Sequence, residues 1–236
     1  MAAAGFLFSL ILLPEVILAS GTSRAEALEK LWEEHMKYEF VPGEKSTSKT
    51  MDTMVDEPYV NHIPTLIGGM GKDRLRHFYH NHFIFKNVPM AITPVSRTVG
   101  NTQLVDEMVI EFNHTDTVDW LVPGVPATGK NVKFPLVAIV RFRCQSDETD
   151  ICKLAHEHIY WDQATILKQL GLIDLEGVLD VSGQEQAEKV LAPFDVKSNA
   201  MLLRTGRFVQ EGSSSNDGLG GSGSSSGRRS SLKGEL

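Results

Sequence analysis

From Ser23 onward the apolar positions fall at helical spacing. Leu28, Leu31, Trp32 and His35 share one face, behind a Ser23 N-cap with Glu26 three residues on in a capping-box arrangement. Pro42-Gly43 ends this helix. Thr47 to Val55 predicts a second, short helix that packs Met51, Met54 and Val55 before Pro58. Tyr59 to Pro64 reads as short and extended, closed by the glycine cluster Gly68-Gly69-Met70-Gly71. Leu75, Phe78, Tyr79 and His82 then repeat at i, i+3, i+4 and i+7, so this helix turns His82 inward and leaves His77 and His80 to solvent. After Pro94 the period changes to two. Ser96–Val99, Leu104–Phe112, Val132–Phe142 and Cys152–Trp161 read as strands, with the Pro123–Gly129 stretch a loop between two of them. Gln163–Leu170 continues as a short helix, and residues 171–207 form a weakly patterned C-terminal wrap.

No strand–helix–strand alternation appears, so the sheet is expected to be antiparallel with the helices on its N-terminal side, an α+β fold. Strands this long curl. A curved antiparallel sheet wrapped around N-terminal helices makes a cone with an internal pocket.

Composition narrows the function classes. Lys and Arg number 23 against 30 Asp and Glu, a net −7, which argues against nucleic acid as a partner. With 42% hydrophobic and 22% charged residues the chain has enough apolar content for a folded core. The stretch 211–236 holds sixteen Gly or Ser in twenty-six residues and reads as a disordered tail; its Arg228-Arg229-Ser230-Ser231 is shaped like a basic-directed kinase site. The opening 22 residues carry the apolar run Phe6–Leu13 and the small residues Ala19-Ser20-Gly21 of a signal-peptidase site, but no Lys or Arg precedes the run and Pro14-Glu15 breaks it. They read as a signal-like or dispensable extension, with cytoplasmic location favoured over secretion and no stable membrane span. The domain plan is therefore 1–22 extension, 23–175 cone, 176–210 wrap and 211–236 tail.

Cys144 and Cys152 flank the polar Gln145–Ile151 stretch, and if that stretch is a hairpin loop they lie nearly opposite across paired strands. They are either a disulfide or two buried thiols. Asn113-His114-Thr115 is a glycosylation sequon at a strand end.

Candidate chemistry concentrates in the last strand. In an unbulged strand Leu154, His156, His158, Tyr160 and Asp162 share a face, and so many polar groups beside apolar strands suit a lined pocket. Asp162 either faces that pocket or caps the following helix. His62 either orients a base and donates to a developing enolate, or is a core histidine bonded to backbone. Glu107 alternates with valines, so either it or Asp106 points inward. Trp120, Phe83, Phe134 and Tyr160 are candidates for the apolar wall. His156-x-His158 is the nearest approach to a metal motif, but no compact ligand spacing is present, and neither metal nor cofactor is expected. No phosphate loop, dinucleotide fingerprint or nucleophile elbow occurs.

Asp56-Glu57-Pro58-Tyr59-Val60-Asn61-His62 followed by Gly71-Lys72-Asp73-Arg74-Leu75-Arg76-His77-Phe78-Tyr79, and Glu157-His158-Ile159-Tyr160-Trp161-Asp162-Gln163 running into Leu167-Lys168-Gln169-Leu170-Gly171, together with the element order, resemble the SnoaL-like polyketide cyclase family of the nuclear transport factor 2-like superfamily. The resemblance covers residues 25–175. It implies a pocket inside the cone and a last-strand acid that moves protons in ring closure, a position matched here by Asp162. Some similar sequences carry a dienelactone-hydrolase label, but the Gly-x-Cys-x-Gly elbow that such a hydrolase needs is missing.

Two functions follow. One is an acid/base catalyst of cyclase, isomerase or lyase type, acting on a small hydrophobic carbonyl compound. In it Asp162 is the proton-transfer residue, His62 and His158 are its partners, and Tyr160, Glu107, Trp120, His82 and Phe83 contact the substrate. The other is a non-catalytic ligand-binding or dimerisation module of the same fold; members of this fold often form homodimers through the sheet.

Overall fold

A computed structural model describes residues 23–146, 151–174, 179 and 181–198. The signal-like segment, the kinase-site motif and the Gly/Ser tail lie outside the described residues. Helix α1 (Arg24–Phe40) starts at the Ser23 cap, where the Ser23 side chain accepts from the Glu26 N–H and the Glu26 side chain accepts from the Ser23 N–H, so the capping box read from the sequence is formed. Helix α2 (Thr47–Asp52) is shorter than its pattern suggests. Met54 and Val55 belong instead to strand β1 (Met54–His62), and both are buried there. Pro58 sits where the ladder to the neighbouring strand is interrupted, between Met54 and Tyr59, so its missing N–H removes no ladder bond.

The glycine cluster is itself a strand, β2 (Ile67–Met70), hairpinned on β1. A Cβ on Gly68 would lie 2.0 Å from the Val60 carbonyl oxygen, and its φ is +144°, so only glycine allows this approach. Helix α3 (Lys72–Phe78) follows and runs into a single π-helical turn, Tyr79–Phe83. Strands β3 (Met90–Val99), β4 (Gln103–Asn113), β5 (Asn131–Cys144) and β6 (Cys152–Trp161) form the meander. β3 begins before its expected start because it is an edge strand that tolerates Pro94 at a bulge. Helix α4 (Gln163–Leu170) closes on Gly171 in the left-handed region, and α5 (Glu185–Leu191) lies in the wrap.

The six-stranded sheet is curved and unclosed, in the order β2-β1-β6-β5-β4-β3. The fold is α+β, but the sheet is not wholly antiparallel. β1 and β6 pair in parallel, because the chain leaves the sheet after the β1–β2 hairpin through α3 and re-enters at the far edge, so the last strand of the meander returns beside the first. Even-numbered residues of β4 and β5 face inward: Leu104, Asp106, Met108, Ile110 and Phe112, then Val132, Phe134, Leu136, Ala138, Val140 and Phe142. Leu28 and Trp32 of α1, with Leu75, Phe78 and Phe83, complete the core against this face. Cys144 and Cys152 stand opposite each other in the β5–β6 register and form a disulfide.

Candidate active site

Helix α1 carries Trp32, His35, Met36 and Glu39 at i, i+3, i+4 and i+7, one stripe that lies against the inner face of the sheet. Opposite it, β6 contains a bulge: Leu154 pairs with Phe142, whereas His156 pairs with Arg141, leaving Ala155 as the extra residue. That residue inverts the alternation, so Glu157, Ile159 and Trp161 point inward after Leu154. The π turn brings Tyr79 and Phe83 in from the side, and β1 supplies Val60 and His62. Between them lies a cavity of about 40 Å³, walled by Trp32, Phe40, Phe83, Trp120 and Met108 and bearing Glu39, Glu157, Tyr79 and His62. Such a volume holds roughly three ordered waters.

The polar end of this cavity is a buried charge cluster. His35 is fully buried, and its Nε2 lies 3.0 Å from Glu39 Oε1 and 3.1 Å from Glu157 Oε1. Tyr79 Oη donates to Glu157 Oε1 at 3.1 Å and lies 3.4 Å from His35 Nε2. On the other side of the ring, His35 Nδ1 is 2.6 Å from Thr53 Oγ1, whose own hydrogen goes to the Thr50 carbonyl at 2.6 Å. Thr53 therefore accepts, and Nδ1 carries a proton. Burial alone pushes the His35 pKa down, but the charges of the two carboxylates outweigh it and hold it up at about 10. An imidazolium between two carboxylates is the result. Burial raises the Glu39 pKa despite His35, and burial together with Glu157 and Glu39 raises that of Tyr79. Glu39 is only 3% exposed, and its Oε1, though near Nε2, lies off the N–H direction and accepts no hydrogen bond.

A second buried pair steadies the wall. Asp106 accepts from Trp32 Nε1 at 2.8 Å and takes Arg97 through Nε at 3.1 Å and Nη2 at 2.9 Å, a two-pronged pair that fixes the indole beside the cavity.

Of the residues expected to form the site, His62, Phe83 and Trp120 line the cavity. His62 is buried among Phe78, Phe83, Trp120 and Trp161, and its Nδ1 bonds the Ile67 carbonyl at 3.0 Å. Burial lowers its pKa to about 4, so at neutral pH it is uncharged with only the Nε2 lone pair left over. It is an acceptor there, and not the donor to an enolate.

The other expected positions lie elsewhere. Asp162 is exposed at the N-cap of α4, accepting from the Ala164 N–H at 2.9 Å and from Gln186 Nε2 at 2.7 Å, so of its two readings the cap is the one the geometry shows. The Ala155 bulge turns His158 and Tyr160 to the opposite face, where His158 meets the Tyr59 hydroxyl at 3.0 Å and Tyr160 is 41% exposed. Asp106, not Glu107, faces inward, and Glu107 accepts from Ser96 Oγ at 2.7 Å on the outer side. His82 is exposed, because the wider π turn passes its expected inward place to Phe83.

His35, Glu39, Tyr79 and Glu157 were not read as a site. His35 and Glu39 stand four apart on one helix, the one spacing that signals them; Glu157 carries no signal without the bulge.

No family model matches the chain, and no curated protein does. Solved structures similar to it include a proposed polyketide cyclase from Xanthomonas campestris pv. campestris, 14% identical over 63% of this chain and 99% of that one with a TM-score of 0.48. A proposed SnoaL-like polyketide cyclase from Jannaschia sp. CCS1 is 15% identical over 64% of this chain and 93% of its own, with a TM-score of 0.47. The epoxide hydrolase/cyclase-like enzyme SalBIII, of pyran-ring formation in salinomycin, is 11% identical over 59% and 90%, with a TM-score of 0.40. The α+β architecture itself rests on the strand order and burial described above, and no residue role is carried over from these proteins.

Proposed function

We propose that the cavity is the active site of an acid/base catalyst of cyclase, isomerase or lyase type acting on a small carbonyl compound. The observation that carries this reading is Glu39: a buried carboxyl group lining a largely apolar cavity, its Oε1 ion-paired with His35 but with no hydrogen bond of its own. Burial makes this carboxylate a stronger base than one in water, even against the opposing charge of His35. In the proposed step Glu39 takes a proton from the carbon beside the substrate carbonyl. The electron pair of the broken C–H bond moves to the carbonyl oxygen, and the hydroxyl of Tyr79, a residue that also lines the cavity, swings from Glu157 to donate to that developing enolate. His35 and Glu157 touch no substrate in this scheme; Glu157 holds Tyr79, and His35 offsets the charge of Glu39.

Deuterium uptake tests it. Enolisable ketones and β-keto esters small enough for the cavity are incubated with the protein in deuterated water, and label is read by mass spectrometry. Uptake with the wild-type chain that falls about 100- to 10,000-fold in Glu39→Gln is the expected result. Equal uptake with both proteins would refute the assignment.

A further inference from the structure

We propose that the His35–Glu39–Glu157–Tyr79 cluster binds one divalent first-row transition-metal cation, with His35 Nε2, Glu39 Oε1, Glu157 Oε1 and Tyr79 Oη as its donors. Among the described residues, His35, Glu39 and Glu157 form the group whose ligand atoms lie within 4.8 Å of one another. The separations are closer than that bound. Nε2 is 3.0 Å from Glu39 Oε1, 3.1 Å from Glu157 Oε1 and 3.4 Å from Tyr79 Oη, and Oη is 3.1 Å from Glu157 Oε1. Four donors about 2.0–2.1 Å from a shared centre, the usual Zn–N and Zn–O lengths, stand roughly 3.3–3.4 Å apart when tetrahedral. Four of the six donor pairs are thus already close to the spacing of a coordination shell.

Two further features point to a cation. Glu39 Oε1 is a buried acceptor without a hydrogen bond, and a cation at the centre of the cluster would satisfy it. Behind the ring, the Thr50 carbonyl takes the Thr53 hydrogen and Thr53 accepts from His35 Nδ1, which fixes Nε2 as the nitrogen facing the carboxylates. Outer partners that set the tautomer in this way are the usual support of a metal-binding histidine. One imidazole with oxygen donors suits Zn²⁺, Co²⁺, Fe²⁺ or Mn²⁺, whereas Ca²⁺ takes six to eight oxygens. Binding releases the Nε2 proton, and any proton held by the carboxyl groups, to solvent.

The site deepens the acid/base reading, and only its inhibitory consequence rests on that reading: a cation on Glu39 Oε1 occupies the proposed base, so metal-loaded protein does not catalyse exchange. The test uses the full chain stripped with a chelator. Co²⁺ is titrated in and followed by the visible absorption of the four-coordinate ion, with Zn²⁺ titrated calorimetrically in parallel. One saturable equivalent is expected. Thr53→Val, which removes the outer hydroxyl and leaves every proposed ligand in place, weakens binding about 10- to 100-fold. Glu39→Gln, which alters a ligand, weakens it further.

No absorption band and no saturable heat would overturn the proposal. So would full-strength binding in Glu39→Gln, which would move the cation to the His156–His158 pair on the opposite face. The two readings separate cleanly. Cation binding by a protein that exchanges no compound even when stripped of metal leaves the metal site standing and removes the acid/base reading. Exchange that persists in Zn²⁺, with no Co²⁺ band, does the reverse.

Discussion

At the scale of single residues, His35 decides how the buried cluster behaves. It is the one cation facing two buried carboxylates, so removing it strands both. His35→Gln should destabilise the metal-free protein by about 3–5 kcal/mol, the usual cost of breaking a buried ion pair, as measured by urea unfolding. The pH dependence has a definite sign. With a folded pKa of about 10 against 6.5 unfolded, the contribution of His35 is complete below pH 6.5 and is lost as pH rises toward 10. His62 works from the other side: its pKa is lowered to about 4, so stability is lost as pH falls from 6.5 toward 4. Unfolding measured in chelator should therefore show greatest stability between these limits, and His35→Gln should flatten the alkaline side alone. A wild-type protein as stable at pH 9.5 as at pH 6.5 would contradict the paired imidazolium. Phe83 and Trp120 stand out in the sequence as large rings beside apolar neighbours, and His62 through its place after the strand-like Tyr59-Val60. Glu39 was not, since a glutamate near the end of an amphipathic helix reads as solvated unless its partners on other elements are known.

At the scale of elements, two single-residue irregularities account for most of the misplaced side chains. The Ala155 bulge inverts the face of β6, exchanging His158 and Tyr160 for Glu157. The π turn shifts the inward position from His82 to Phe83. Periodicity locates elements well, as the bounds of β6 and α4 show, but it carries no mark of an extra residue within one. Truncation tests the second shift directly. Phe83→Ala should cost about 3–5 kcal/mol of stability, while His82→Ala, at an exposed site, should stay within about 0.5 kcal/mol of wild type. The opposite ranking would restore the unbroken helix.

At the scale of the molecule, helix order, the four-strand meander and the curved sheet were all readable, because amphipathic spacing and turn residues are local signals. The parallel β1–β6 pairing was not: it joins strands roughly a hundred residues apart, and nothing local encodes which neighbour a strand meets. The disulfide lies between these cases. The symmetric cysteines allowed it, and the β5–β6 register brings them together. A bridge closing so short a loop should contribute about 2–3 kcal/mol through the unfolded state. Cys144→Ser with Cys152→Ser should lower unfolding stability by that amount and leave the cavity's chemistry intact, since the bridge closes a hairpin away from the residues that line it. Loss of activity in a still-folded double variant would show that the hairpin bears on the site.

The central claim is that the working carboxylate lies inside the cone on α1, and not at the end of β6. The most direct measurement compares Glu39→Gln and Asp162→Asn in one deuterium-exchange assay, with folding of both checked by circular dichroism. Glu39→Gln should lose uptake by at least about 100-fold, while Asp162→Asn, which keeps a capping side chain, should exchange at the wild-type rate. Exchange abolished by Asp162→Asn and retained by Glu39→Gln would contradict the account and return the base to the last strand.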